Sequence, residues 1–201
     1  MKTRNLSILL ALLFVITAVG FAAGARADGE LSAPAIGSTI DDFTLPDYDN
    51  HEHSLKSLAG KNGTVILFIA VQCPVSNAYN ERMEKLAQDY KEKGINVVGI
   101  NSNAKEDAAA VKVHASEHKL SFTILKDPAN KIADKFGASV TPEAYFLDAN
   151  NKLLYHGRID NARDAAQVET PDLRNALDAT LAGKPVEKTE AKAFGCSIKR
   201  A

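Results

Sequence analysis

The stretch LFIAVQCPVSNAYN, Leu67–Asn80, decides the fold. Its apolar half begins earlier, at Thr64, and TVILFIA is an unbroken β-branched and aromatic run. A run of that kind is the mark of a strand covered on both faces, as in the middle of a parallel sheet. Pro74 then ends any extended pairing, because proline has no amide to donate, yet its fixed φ suits the first position of a helix. Tyr79, Met83, Leu86, Ala87 and Tyr90 follow at helical spacing on one face, and Gly94 stops the helix. INVVGI, Ile95–Ile100, is a second buried strand. Strand, helix, strand is the parallel crossover unit.

Outward from this unit the alternation continues. A helix is expected over about Glu106–Lys119, a strand in SFTILKD, and a short helix in NKIADKFG closed by Gly137. EAYFLDANNKLLYHGRI reads as a hairpin around an Asp-Ala-Asn-Asn turn. A last helix starts with Thr170 as N-cap and Pro171 as first residue, packs Leu173, Leu177 and Leu181, and ends at Gly183. Upstream, DFTLPDYDN alternates apolar and polar residues and forms a short N-terminal β element. The expected architecture is one α/β domain: a central mixed sheet, mostly parallel with an antiparallel hairpin at one edge, flanked by helices.

Residues 1–27 read as a signal peptide. Lys2 and Arg4 precede an apolar stretch from Leu6 to about Ala23, and Ala25-Arg26-Ala27 is a small-residue cleavage signal. The alternative is an uncleaved segment that anchors the chain to a membrane. The domain then spans 28–184, and 185–201 is a flexible polar tail that turns apolar near Cys196. The chain has 24 basic and 25 acidic residues; three of the basic ones lie in the leader, leaving 21 against 25. With no basic stripe, nucleic acid is not an expected partner.

Cys73 and Cys196 are the only cysteines, and export would bring them into an oxidising compartment. Cys73 stands where a strand runs into a helix at the C-terminal edge of the sheet, where α/β domains place their chemistry. Free amides and the helix dipole there favour a thiolate, so a nucleophilic thiol is the expectation, against a buried inert one. His114 and His118 are four apart on a helix and could touch one ion, but a solvated face is the plainer reading. His51 and His53 read as loop and strand-edge residues.

DFTLPD, HSLKSLAGKNGTVILFIAVQCPVSNAYNERM, SVTPEAYFLD and YHGRID together resemble the thioredoxin-fold redoxins, the alkyl hydroperoxide reductase and thiol-specific antioxidant group. The resemblance covers roughly residues 34–184 and implies a thioredoxin-like fold. It implies that Thr141-Pro142 is the Thr–cis-Pro element facing the active cysteine. It sets Cys73 at the first position of the C-x-x-C pair, with Ser76 at the second, so exchange confined to that turn is excluded. True peroxiredoxins keep their cysteine at the second position, and their arginine has no counterpart beside Glu143. The chain therefore resembles a peroxiredoxin-like branch with one active-site cysteine.

On this reading Cys73 attacks disulfides or oxidised thiols, Pro74 and Ser76 shape the turn, and Ser76 can hydrogen-bond the sulfur. Thr141 and Pro142 dock the substrate, and Arg158 can hold a thiolate or an acidic group. Cys196 is the candidate resolving thiol, with a static bridge and an unpaired thiol left open. The partners are a thiol or disulfide substrate, protein or small molecule, and an external reductant. No cofactor or resident metal is expected. The alternatives are a weak thiol peroxidase, or a copper-binding module using Cys73, Cys196 and a histidine.

Overall fold

The computed structural model describes residues 32–201; residues 1–27, expected from the sequence to be a signal peptide, lie outside the described residues. β1 (Thr44–Pro46) and β2 (Glu52–Ser54) form an antiparallel ribbon, the N-terminal β element. β3 (Gly63–Ile69) leads to a short α1 (Pro74–Asn77), α2 (Asn80–Lys91) and β4 (Ile95–Asn101). α3 (Ala108–Glu117), β5 (Thr123–Lys126), a 3-10 turn at Pro128–Asn130 and α4 (Lys131–Phe136) come next. β6 (Val140–Thr141), β7 (Glu143–Leu147) and β8 (Leu153–Gly157) precede a second 3-10 turn at Ala165–Gln167 and α5 (Asp172–Leu181). Two short strands, β9 (Glu190–Ala191) and β10 (Cys196–Ser197), end the chain.

The main sheet runs β5-β4-β3-β7-β8-β9, with β3, β4 and β5 parallel, β7 antiparallel to β3, and β8 antiparallel to β7. β3 is central, and its alternation divides the core. Val65, Leu67 and Ile69 join Met83, Leu86, Tyr90 and Leu177 on one face, while Ile66 and Phe68 join Phe136, Tyr145 and Leu125 on the other. That two-faced burial is why the strand is apolar at every position. Among the described residues no helix is long and apolar enough to cross a membrane.

Three expectations change. The helix after Cys73 is broken at Ala78–Tyr79 into α1 and α2, and Tyr79 turns its hydroxyl to Asp160 Oδ1 at 2.8 Å. The last helix has Pro171 as its N-cap and starts at Asp172, whose buried carboxylate takes ion pairs from Arg158 and Lys188. The tail is not a loose appendage. β9 pairs parallel with β8, Phe194 packs edge-on against Tyr79 with ring centroids 6.3 Å apart, and Ile198 is buried in the core. Both points where the tail lies closest use glycine: a Cβ on Gly157 would stand 1.9 Å from Ala191 O, and one on Gly195 would stand 1.9 Å from Thr141 O. Nothing in a polar tail's composition announces such contacts, because they depend on partners distant in sequence.

Candidate active site

After β3 the chain crosses Ala70–Gln72 to reach Cys73, and two side chains hold the crossing. Ser76 Oγ accepts from the Ala70 amide at 3.2 Å, and Glu106 accepts from the amides of Val71 and Gln72, both at 2.9 Å. Asn101 and Asn103 also donate their side-chain amides to Glu106. Burial pushes the Glu106 carboxyl up, but these four N–H donors outweigh it and hold it below its ordinary value. Glu106 had no signal in the sequence beyond its place near a helix start.

Cys73 is the N-cap of α1 and only 3 % exposed. Its sulfur accepts from the Ser76 amide at 3.2 Å, and the thiol donates to Thr141 O at 3.2 Å. Ser76 thus reaches the sulfur through its backbone, while its hydroxyl is engaged at Ala70. With α1 a single turn long, the support for a thiolate comes from local donors more than from a long helix dipole. The Thr141–Pro142 bond is cis, as the resemblance implied.

Cys196 lies on β10 directly opposite Thr141 of β6, and Ser197 lies opposite Val140. The tail therefore brings the second cysteine to the backbone group that already touches the Cys73 thiol. Burial pushes the Cys73 thiol up; hydrogen bonds from the Cys196 thiol, the Thr141 hydroxyl and the Ser76 amide outweigh it, and the net shift is downward. Thr141 Oγ1 is buried with no hydrogen-bond partner among the described residues, which leaves it free to donate to a thiolate on Cys73. Cys196 moves the other way, raised by burial and by its hydrogen bond to Cys73. Of the two thiols, Cys73 is thus the one whose surroundings favour the thiolate.

The cis-proline loop is fixed from behind. Glu143 accepts from the amides of Ser139 and Val140 at 2.8 and 3.1 Å, and sits 2.7 Å from His156 Nε2, whose ring stacks on Tyr145. Nothing local in the sequence marks Glu143 for this role, because its partner His156 lies on β8. Arg158 is not brought to the cysteines: its Nε donates to Asp172 Oδ2 at 2.6 Å, at the start of α5. The expected role for Arg158 at the thiol is corrected accordingly, since the buried Asp172 carboxylate claims its charge.

A cavity of about 490 Å³ opens beside the sulfurs, with Cys73, Cys196, Glu106, Lys105, Lys199 and Arg200 on its wall. No histidine lines it. Among the described residues no three His, Cys, Asp or Glu side chains gather to hold a metal, so the copper site expected as an alternative has no third ligand here. His114 is buried, with Nε2 3.3 Å from Asn80 Nδ2 and its ring 4.4 Å from that of His118. His51 and His53 both face Asp47 at the β1–β2 turn.

Cys73 and Cys196 both meet Thr141 of the cis-proline element, and the chain is similar to known redox proteins. The chain is 28% identical over 142 residues to the thiol-disulfide oxidoreductase ResA of Geobacillus thermodenitrificans, covering 71% of this chain and 80% of that one. A solved hypothetical protein from Sinorhizobium meliloti 1021 superposes with a TM-score of 0.78 at 32% identity, covering 85% and 97% of the two chains. A putative thiol:disulfide interchange protein DsbE from Chlorobium tepidum shares the fold, with a TM-score of 0.62 at 24% identity, covering 73% and 98%. Residues 36–156 match the AhpC/TSA family model. The chain belongs to the AhpC/TSA family of thioredoxin-fold oxidoreductases.

Proposed function

We propose that this protein is an exported thiol–disulfide oxidoreductase in which Cys73 attacks and Cys196 resolves. The observation that carries the reading is the register of β10 on β6, which sets Cys196 opposite the Thr141 carbonyl that accepts from the Cys73 thiol. Cys73 thiolate attacks a sulfur of a disulfide RS–SR', the S–S bond breaks, and R'S⁻ leaves to take up a proton. Cys196 then loses its proton and attacks Cys73 Sγ, releasing the second thiol and leaving a Cys73–Cys196 disulfide. Two electrons pass to the substrate, and an external thiol must return them.

Export rests on the leader at residues 1–27, which would deliver the two cysteines to an oxidising compartment; retention of the leader would leave the protein anchored there instead. Disulfide chemistry is favoured over peroxide chemistry because Arg158 is bound to Asp172, and Arg200, the arginine on the cavity wall, is paired with Asp134. The test is intact-mass analysis of reduced protein mixed with a small disulfide. Wild type should pass through a transient adduct to a product 2 Da lighter than the reduced chain. Cys196→Ala should stop at a stable adduct, and Cys73→Ala should form no adduct at Cys73 and no intramolecular disulfide. An intramolecular disulfide that never forms in wild type would refute the resolving role.

A further inference from the structure

The tail that delivers Cys196 also closes the place where an extended polypeptide would dock. β10 occupies the edge of β6 in antiparallel register, and Ile198 N extends the pairing to Ser139 O at 2.9 Å. A protein substrate adding as a strand needs those same backbone groups free. What remains open beside the sulfurs is the cavity of about 490 Å³, the size range of small-molecule sites.

Its charge is specific. Lys105, Lys199 and Arg200 line it, against one acidic residue, Glu106. Glu106 is already surrounded by four N–H donors from Val71, Gln72, Asn101 and Asn103. Lys105 has no ion-pair partner among the described residues, and Lys199 Nζ bonds only the Ser197 hydroxyl, at 3.0 Å. Arg200 is shared with Asp134 at 2.9 Å. Lys199 also lies close enough to lower the Cys196 thiol by its charge. This cationic wall stands on a chain whose residues after the leader carry more acids than bases, so it is a local feature and not a reflection of net charge.

We propose that the redox partner of the Cys73–Cys196 pair is a small disulfide or thiol bearing carboxylates, bound in this cavity with its acid groups toward Lys105 and Lys199. The inference rests on the exchange reaction proposed above and specifies its substrate class. The carboxylate-bearing disulfide takes two electrons and leaves as two thiols, while the two protein thiols become one disulfide. The same small thiol in excess drives the reverse reaction by mass action.

Three disulfides of similar size and different charge test it: 3,3'-dithiodipropionate, bis(2-hydroxyethyl) disulfide and cystamine. The rate of Cys73–Cys196 closure in reduced full-length protein is measured with each and divided by the disulfide's rate with free 2-mercaptoethanol under the same conditions, which removes intrinsic reactivity. At low salt the normalised rate for the dianion should exceed that for the dication by about tenfold or more, and the gap should close toward unity in about 1 M salt. The Lys105→Gln/Lys199→Gln double variant should shrink the anion-to-cation ratio at least about fivefold. The chain's overall acidity alone would favour the dication, so the order of rates separates local from global charge. Equal rates, or preference for cystamine, would overturn the inference while leaving the exchange reaction standing. No reaction with any of the three would overturn both.

Discussion

Replacing Gly195 by alanine should separate the two cysteines without touching either. An alanine Cβ there would stand 1.9 Å from Thr141 O, where real Cβ contacts essentially never fall under 3.0 Å. The obstacle is a backbone carbonyl and cannot swing aside, so the tail must retreat by at least about 1.1 Å, the difference between those two distances. It retreats beside the Cys196–Thr141 register point, and the Ile198 N to Ser139 O bond next in line is weakened too. Resolution is an intramolecular displacement, and a misplacement of about 1 Å in such a step costs on the order of a hundredfold in rate, or about 2.7 kcal/mol. The assay is acid quench and intact mass after mixing reduced protein with bis(2-hydroxyethyl) disulfide. Wild type should show a short-lived adduct on Cys73; Gly195→Ala should prolong its life about a hundredfold. Cys196→Ala, in which the adduct cannot be resolved, gives the upper bound. An adduct lifetime within about threefold of wild type would refute the reasoning, because it would mean that the β10–β6 register does not set the approach of the thiols.

Other consequences follow from the same hydrogen bonds. Cys73 alkylation followed across pH should titrate below the ordinary cysteine value, and Cys196→Ala should move that midpoint upward, since the Cys196 thiol is the leading stabiliser opposing burial; an unmoved midpoint would contradict the shared hydrogen bond. Glu106→Gln should destabilise the protein by about 2–3 kcal/mol in urea unfolding, because a neutral amide cannot accept from Val71, Gln72, Asn101 and Asn103 at once. It should also speed Cys73 alkylation by loosening the crossing from β3, and unchanged stability would count against the anchor. Glu143 is likewise held below its ordinary value: burial raises it, but His156 and the amides of Ser139 and Val140 prevail. A depressed carboxyl contributes stability fully present above its unfolded value of 4.5 and lost as pH falls through the lower folded value. Thermal melts should therefore fall more steeply below about pH 4.5 in wild type than in Glu143→Gln, and parallel curves would show that Glu143 is not the coupled group.

The sequence by itself determined the parts whose physics is local. TVILFIA is apolar at successive positions because both of its faces are covered, and that reads directly as a central strand. Pro74 after Cys73 marks a helix start, Gly137 with φ 63° closes α4, and Asp148–Asn151 makes the turn of the β7–β8 hairpin. These signals need only neighbours a few residues away, and they sufficed for the α/β order and for singling out Cys73.

Tertiary structure alone decided which distant groups meet. Arg158 could have faced the thiol or an acid; the buried Asp172 carboxylate settles it, since an unpaired charge there would be costly. Glu106 became the anchor of the Cys73 loop only because β3 and β4 lie side by side and bring its carboxylate under the Val71 and Gln72 amides. Cys196 was visible as a second sulfur, but its register against Thr141 depends on a backbone approach at Gly195 so close that no side chain fits. Such pairings are set by sheet geometry and packing across the whole chain, which no local periodicity encodes.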